Sequence, residues 1–342
     1  MNPKDFIQSR RDALMIRAGL LTASDPIVHP EAGALAAGGG NLVSEMAKFC
    51  ADVVRQTSAP GAAGLRPVAG YSTSDFGNAL SDVLRTAAFI RMAASMQHEQ
   101  MCTRLNVNNF MPREFPMASI DSSLALVNEL GEFEEAGLSS TDGLSARLKT
   151  YGRNVFISRN VLLTDDIDLI AGAFANFGGS VSRLEAKLVY GLIESNPTLA
   201  DGEPTFDALH GNVLAAALDE SNLGVAMGML RSLPDPFGEL SNFDAAVLTV
   251  EGRMEVAARR LVKDAGLDLE VVASPWLAVG RWYLQPSPDV APVIGLLRLA
   301  GSKYPAQIGP KKDDRFRDGS LIAVRADVGV VPLGRTAIRG GA

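Results

Sequence analysis

The sequence is short of the residues that most often carry chemistry. It holds two cysteines and three histidines among 342 residues. Cys50 and Cys102 form no CxxC pair, which excludes zinc ribbons and thioredoxin-like redox sites and suits a reducing compartment. His29, His98 and His210 lie far from one another, and only His98 has a cysteine near it, Cys102 four residues on; one such pair makes no local metal motif. A nucleophile elbow needs GxSxG, because its glycines permit the strained turn. The nearest strings, Gly70-Tyr71-Ser72-Thr73-Ser74 and Gly178-Gly179-Ser180-Val181-Ser182, both fail at the last position. Phosphate loops are missing too. Gly309-Pro310-Lys311-Lys312 lacks the required spacing, and Gly38-Gly39-Gly40 lacks GxGxxG and follows no strand. No cofactor is expected. No run of 18 uncharged apolar residues occurs; the best stretch, Ala291 to Ala300, is short and carries Arg298. The start, Met1-Asn2-Pro3-Lys4-Asp5, lacks the apolar segment of a signal peptide.

What is present is an ordinary globular composition, 47% hydrophobic and 21% charged, which excludes wholesale disorder. The length suffices to bury a large core without disulfides or metals. A net charge of -7 argues against a protein that grips a nucleic-acid backbone, but permits a shell that encloses one.

Along the chain, residues 1–70 read as an arm. Helices are expected at Phe6–Leu21 and Leu42–Arg55, separated by Gly38-Gly39-Gly40 and followed by the joint Ser58–Gly64. Asp75–Met96 is expected to be helical, capped by Ser72-Thr73-Ser74. From 115 to 158 the period becomes that of strands. Leu124 and Leu126 fall in one arm of a hairpin, Leu144, Ala146 and Leu148 in the other, with Thr141-Asp142-Gly143 as the turn signal. One arm carries Glu129, Glu132, Glu134 and Glu135, the other Arg147, Lys149 and Arg153. So little apolar material lies between them that the hairpin needs something else to pack on. The strongest periodicity runs from Asp165 to about Asn196. Ile167, Ile170, Phe174, Phe177, Val181, Leu184, Leu188 and Gly191 form one seam on a rod of about 45 Å. Gly178-Gly179 inside it permits a bend or a close neighbour. Residues 223–300 read as mixed α/β. Strands are expected at Ala245–Val250, Leu267–Val272 and Trp282–Leu284, and a helix at Arg253–Ala265 with Gly266 beyond its end. Alternation from Leu321 to Val330 reads as a half-buried strand. An arm, a lightly cored hairpin and a long helix point to a structural protein of α+β class that works in an assembly, not to an enzyme.

Five strings, in order, then resemble the major capsid proteins of tailed phages of the Mu-like, protease-fused type. Gly70-Tyr71-Ser72-Thr73-Ser74-Asp75-Phe76 is similar to their STSDF opening. Tyr151-Gly152-Arg153, Phe156–Arg159 and Leu162–Asp166 resemble YGR.F.ITRQ.L..DD. Leu184–Leu192 with Ser195-Asn196-Pro197 resembles LEADLVYGLLLSNP. Phe206–Asn212, FDALHGN, is similar to LFHADHGN, and Asp12–Gly19 to the DAILLRAG linker. The sequence departs at Leu248-Thr249-Val250-Glu251-Gly252, where family members often carry a Pro-rich LLVPP.

The resemblance implies an HK-97-like capsid fold. Residues 1–70 become the N-terminal arm, possessed of a joint where cleavage would be tolerated. Residues 71–110 become the helix leading into the E-loop, 111–158 the extended E-loop, and 159–222 the peripheral domain with its spine helix. Residues 223–300 become the axial domain, and 301–342 the return to the peripheral domain. It implies self-assembly as hexamers and pentamers into an icosahedral shell around double-stranded DNA that is not read by sequence. Partners implied are a portal protein, a separate maturation protease or scaffold, and a decoration protein, with the virion as location and no membrane. The candidate subunit-interface residues are Glu129, Glu132, Glu134, Glu135, Arg147, Lys149 and Arg153. Crosslinking through Lys149 is a fold-level analogy only. The alternatives are an encapsulin-like compartment of the same fold and, from another class, a hydrolase with a non-local Ser/His/Asp site built on His210.

Overall fold

The computed structural model describes residues 3–17, 20–38, 42, 45–46, 73–120, 138–158, 167–234, 239–311 and 319–341. In chain order the elements are α1 (Pro3–Arg17), α2 (Ala32–Ala37), α3 (Thr73–Ala93), β1 (Cys102–Val107), β2 (Arg113–Ile120), β3 (Leu138–Ala146), β4 (Lys149–Ser158), α4 (Ile167–Glu194), β5 (Val213–Leu214), α5 (Glu220–Arg231), β6 (Val247–Glu251), α6 (Glu255–Asp264), β7 (Glu270–Ser274), β8 (Trp282–Gln285), β9 (Ile294–Leu299), β10 (Ala306–Lys311), β11 (Gly319–Pro332) and β12 (Ile338–Gly340). Helices and strands are mixed along the chain, in the α+β class expected. Two compact units divide it. The first takes residues 1–95, 150–183 and 303–326; the second takes 96–149, 184–302 and 327–342.

The first unit is built on helices over a small sheet. Leu14 of α1, Leu84 and Ala88 of α3, Ile170 and Phe174 of α4, Ile157 of β4, Ile308 of β10 and Val324 of β11 share one buried cluster. Ala32, Leu42 and Met46 join it, so described residues from the first 46 contribute to a core. The rest of the second expected helix and the Ser58–Gly64 joint lie outside the described residues. β10 runs antiparallel to the first part of β11, and β4 pairs with β11 as well. α4 admits the close neighbour that its glycine pair permits. A Cβ on Gly178 would collide with the backbone of Ala88 in α3, while Phe89 packs its ring 4.9 Å from that of Tyr304.

In α4 the buried stripe departs from the expected seam. Ile170, Phe174 and Val181 are buried, but Leu184 and Leu188 are half-buried and Gly191 is exposed. The stripe continues through Ser182, Glu185, Ala186, Val189, Tyr190 and Ile193. A strict 3-4 spacing drifts around a straight helix by about 20° per heptad, so it cannot track one face for the whole length.

The second unit holds a five-stranded sheet in the order β5-β12-β8-β6-β7. β6 pairs parallel with β7 and antiparallel with β8, and β12 pairs antiparallel with β8 and parallel with β5. Leu223, Ala226 and Leu230 of α5 and Ala258 and Val262 of α6 cluster with Leu248, Val250, Val271, Trp282, Leu284 and Ile338 from the sheet. Asp219 caps α5 by accepting from the N–H of Asn222. Gly266, at φ 64°, closes α6 as expected. In the same unit β1 lies parallel to β9, and β9 pairs antiparallel with the end of β11. β11 is not half-buried as its alternation suggests. From Leu321 to Pro332 only Arg325 is exposed, because both faces of the strand are covered.

β2 and β3 form a separate two-stranded ribbon. The expected turn at Thr141-Asp142-Gly143 is not there, since all three residues lie within β3. Phe115 faces Leu144 and Met117 faces Thr141, so Asp142 and Gly143 together oppose Pro116. Pro116 has no N–H to give the ladder, and the strand bulges around it. The turn-forming residues mark that bulge. The connection from β2 to β3 runs through residues 121–137, so Leu124 and Leu126 lie outside the described residues.

Candidate functional site

The ribbon stands apart by its burial. Phe115, Leu144 and Ala146 at its base pack with Val107, Leu148, Leu297 and Val331 of the same unit. Arg113, Glu114, Pro116 and Ser145 are exposed. A two-stranded ribbon is marginal in water without a face to cover it. Phe110 and Met111, in the loop that feeds it, are 45% and 69% exposed. Of the sequence-predicted interface residues, Arg147, Lys149 and Arg153 are all exposed. Lys149 and Arg153 lie four apart on β4 and share a face of the strand, and Arg147 sits just after β3. Glu129, Glu132, Glu134 and Glu135 lie outside the described residues.

The polar core of the second unit escaped the sequence reading. Arg298 of β9 is 1% exposed and forms ion pairs with Glu185 of α4 and with Glu99. One guanidinium nitrogen reaches Glu99 Oε1 at 2.8 Å and Glu185 Oε2 at 3.0 Å. Glu99 in turn accepts from Arg104 of β1 at 2.5 Å. His98, also 1% exposed, places Nε2 3.4 Å from Glu185 Oε2, and neither of its ring nitrogens has a hydrogen-bond partner. Burial pushes the His98 pKa down to about 4, so the ring is neutral at physiological pH and the contact with Glu185 is not an ion pair there. Burial raises the Glu99 carboxyl, but hydrogen bonds from Arg104 and Arg298 outweigh it and hold the group below its usual range. Two carboxylates and two guanidiniums thus balance charge inside the unit. Cys102 beside them is buried, and burial drives its thiol strongly upward. It packs as a small hydrophobe. The available signal was Arg298 itself, a lone cation inside the apolar strand Ile294–Leu299.

The passage from Ser195 to Asn212, which carries two of the matched strings, is a loop held by its own side chains. Asn196 sits at φ 48° and clasps Phe206 at both ends, accepting from its N–H at 2.7 Å and donating to its carbonyl at 2.9 Å. Asn212, fully buried, accepts from the N–H of Asp207 and donates to the carbonyls of Thr205 and Arg335. The Thr205 hydroxyl donates to the carbonyl of Pro197, and Arg335 pairs with Asp201. Leu209, at the crest, is 90% exposed. His210 lies on this crest, with Nε2 buried and unpartnered. Among the described residues no serine hydroxyl or carboxylate hydrogen-bonds to it, so the structure assembles no nucleophile–base pair there. Among the described residues no group of three or more His, Cys, Asp or Glu side chains is placed to hold a metal. No described helix is long and apolar enough to cross a membrane.

Residues 141–339, more than half of the chain, match the family model described as phage capsid protein. Among solved structures the chain is similar to the capsid of Cyanophage P-SCSP1u, at 12% identity over 72% of this chain and 87% of that one, with a TM-score of 0.49. It is similar to a structure of Mycobacterium phage Bobi at 9% identity, covering 72% and 89%, with a TM-score of 0.47. A virus-like particle from Pyrococcus furiosus matches at 8% identity, covering 75% and 97%, with a TM-score of 0.45. No curated protein matches the sequence.

Proposed function

The chain belongs to the phage capsid protein family, and from that premise we propose that it is the major head protein of a tailed phage or prophage. It is a capsid shell protein. Copies assemble as hexamers and pentamers into a closed icosahedral shell of HK-97 type around double-stranded DNA. The observation that carries this reading is the family match across residues 141–339, which takes in β4, α4 and the chain from β5 to β11. The exposed Arg113, Glu114, Pro116 and Ser145 of the ribbon support it, because a two-stranded ribbon is marginal alone in water and gains stability by lying on a neighbour. Many weak contacts of that kind sum across a closed lattice. The Mu-like strings support a member related to the Mu-like, protease-fused type, with a portal protein, a maturation protease or scaffold, and a decoration protein as its partners. Glu129, Glu132, Glu134 and Glu135 with Arg147, Lys149 and Arg153 set the pairing of ribbon and neighbour. Exposed pairs contribute about 0–1 kcal/mol each, so their role is register more than strength.

The test uses particles recovered from host cells that carry the intact phage genome. They are treated with nuclease, banded by density and analysed by mass spectrometry. The proposal expects this chain as the most abundant polypeptide and a nuclease-protected DNA genome inside. Particles made of this chain that protect an enzyme and no DNA would place it among protein compartments instead.

A further inference from the structure

Within the second unit, one sheet is closed by a strand that follows all its neighbours in sequence. β12 comes after β5, β6, β7 and β8, yet lies between β5 and β8. Neighbouring strands lie about 4.8 Å apart, so β5 and β8 stand about 10 Å apart across a gap one strand wide. β5 is two residues long, and among the described residues β12 is its one partner in the sheet. The sheet therefore reaches β5 only through β12.

The gap is selective for what fills it. Ala337 and Ile338 are fully buried, and Ile338 joins the cluster of Leu223, Ala226 and Leu230 from α5. Gly340 faces Trp282 across the ladder, and a Cβ there would collide with the indole. That indole is fully buried, and its Nε1–H donates to the Ala216 carbonyl at 3.1 Å, so it has nowhere to retreat. Gly341 takes φ 90°, and a Cβ on it would meet the Gly280 carbonyl. Main-chain bonds hold the strand in register. The Arg339 N–H donates to the Asn212 carbonyl at 2.9 Å and the Gly341 N–H to the Ala216 carbonyl at 3.0 Å. Arg281 donates to the Gly341 carbonyl at 3.1 Å. Just upstream, Arg335 donates to the carbonyls of Pro204 and Glu203 at 3.2 and 2.9 Å.

We propose that the gap between β5 and β8 is a strand-acceptor site for the extended peptide Ala337-Ile338-Arg339-Gly340-Gly341, and that its filling is a separable binding step that completes the second unit and admits the chain to assembly. The occupant is the chain's own segment. The mode is strand addition, in which main-chain hydrogen bonds supply affinity and side-chain pockets supply specificity. Here the pockets demand a buried aliphatic residue at 338 and the absence of a side chain at 340. The consequence for assembly rests on the shell reading above; the binding step stands on the second unit alone.

The experiment uses the full chain carrying Gly340→Val, which spoils its own strand, and Trp276→Phe, which leaves Trp282 as the one tryptophan. It is refolded from urea with and without a synthetic peptide of residues 335–341. Trp282 emission reports closure of the gap, anisotropy of the labelled peptide reports binding, and light scattering reports assembly. Alone, the variant is expected to fold with a folded-to-unfolded ratio lower by about tenfold or more than its Gly340 parent, and to leave Trp282 wet. The native peptide is expected to bind saturably, return Trp282 to its buried emission and restore assembly. Peptides carrying Gly340→Val or Ile338→Asp are expected to do none of these. A variant that folds and assembles like its parent without peptide overturns the inference. So does a native peptide that fails to bind, or altered peptides that bind as well as the native one. Recovered Trp282 emission while neither variant nor parent forms shells counts against the shell reading and leaves the acceptor site standing.

Discussion

Arg298 and Glu185 meet as an ion pair with side chains 1% and 0% exposed. One comes from the apolar strand β9 and the other from the buried face of α4, and Glu99 closes the group from a third element. Breaking such a pair leaves an uncompensated buried charge. Arg298→Met is expected to destabilise the protein by about 3–5 kcal/mol, read by urea unfolding. Arg104→Ala removes only a partly exposed member and is expected to cost about 1 kcal/mol or less.

The same group sets an acid limit. His98 has a folded pKa of about 4 against an ordinary 6.5. The unfolded chain therefore binds the extra proton first, and stability falls as pH drops from 6.5 to 4, by roughly 3 kcal/mol in all. Glu99, whose pKa is lowered in the fold, loses its contribution as pH falls further through its folded value. Thermal unfolding measured across pH should show a decline that starts near 6.5, above the range where carboxylates titrate. His98→Leu is expected to flatten the curve between 6.5 and 4. An unchanged slope in that variant would remove His98 from the account.

Glycines in α4 differ by their surroundings. Gly178 lies against the Ala88 backbone, so Gly178→Ala forces α3 and α4 apart and is expected to cost about 1–3 kcal/mol. A Cβ on Gly191 meets nothing, so Gly191→Ala is expected to stabilise the helix by up to about 1 kcal/mol. Urea midpoints for the two variants should move in opposite directions.

Asn196 combines a left-handed backbone with two bonds to Phe206. Asn196→Gly keeps the backbone and loses the bonds; Asn196→Ala loses both. The alanine variant is expected to be the less stable by about 1 kcal/mol, with the loop's amides exchanging faster by hydrogen exchange.

At the ribbon, double reversal of exposed Arg147 and Lys149 to glutamate is expected to lower assembly yield or change shell size while unfolding midpoints stay put. Unchanged yield and size would end their proposed role.

These residues show what sequence could and could not reveal. Helix α4, the Gly178 close approach, the Gly266 cap and strands β6, β7 and β8 were legible, because local periodicity and backbone chemistry dictate them. The turn at 141–143 was misread, since turn-forming residues also serve a bulge, and only the partner strand's Pro116 decides between them. The stripe of α4 was misread where Ser182 and Glu185 replace apolar residues on the buried face. A buried polar residue announces itself only through partners distant in sequence, here Arg298 and Glu99. Asn196 and Asn212 stood inside matched strings without a role until the loop brought Phe206, Thr205 and Arg335 to them.

The most direct test of the central claim is electron microscopy of the purified full chain, negatively stained, beside size-exclusion chromatography over a range of concentrations. The account predicts hexamers, pentamers or closed shells of uniform diameter, with the assembled fraction rising with concentration. A monomer that stays monodisperse at every concentration and salt, even with scaffold and protease added, would contradict it.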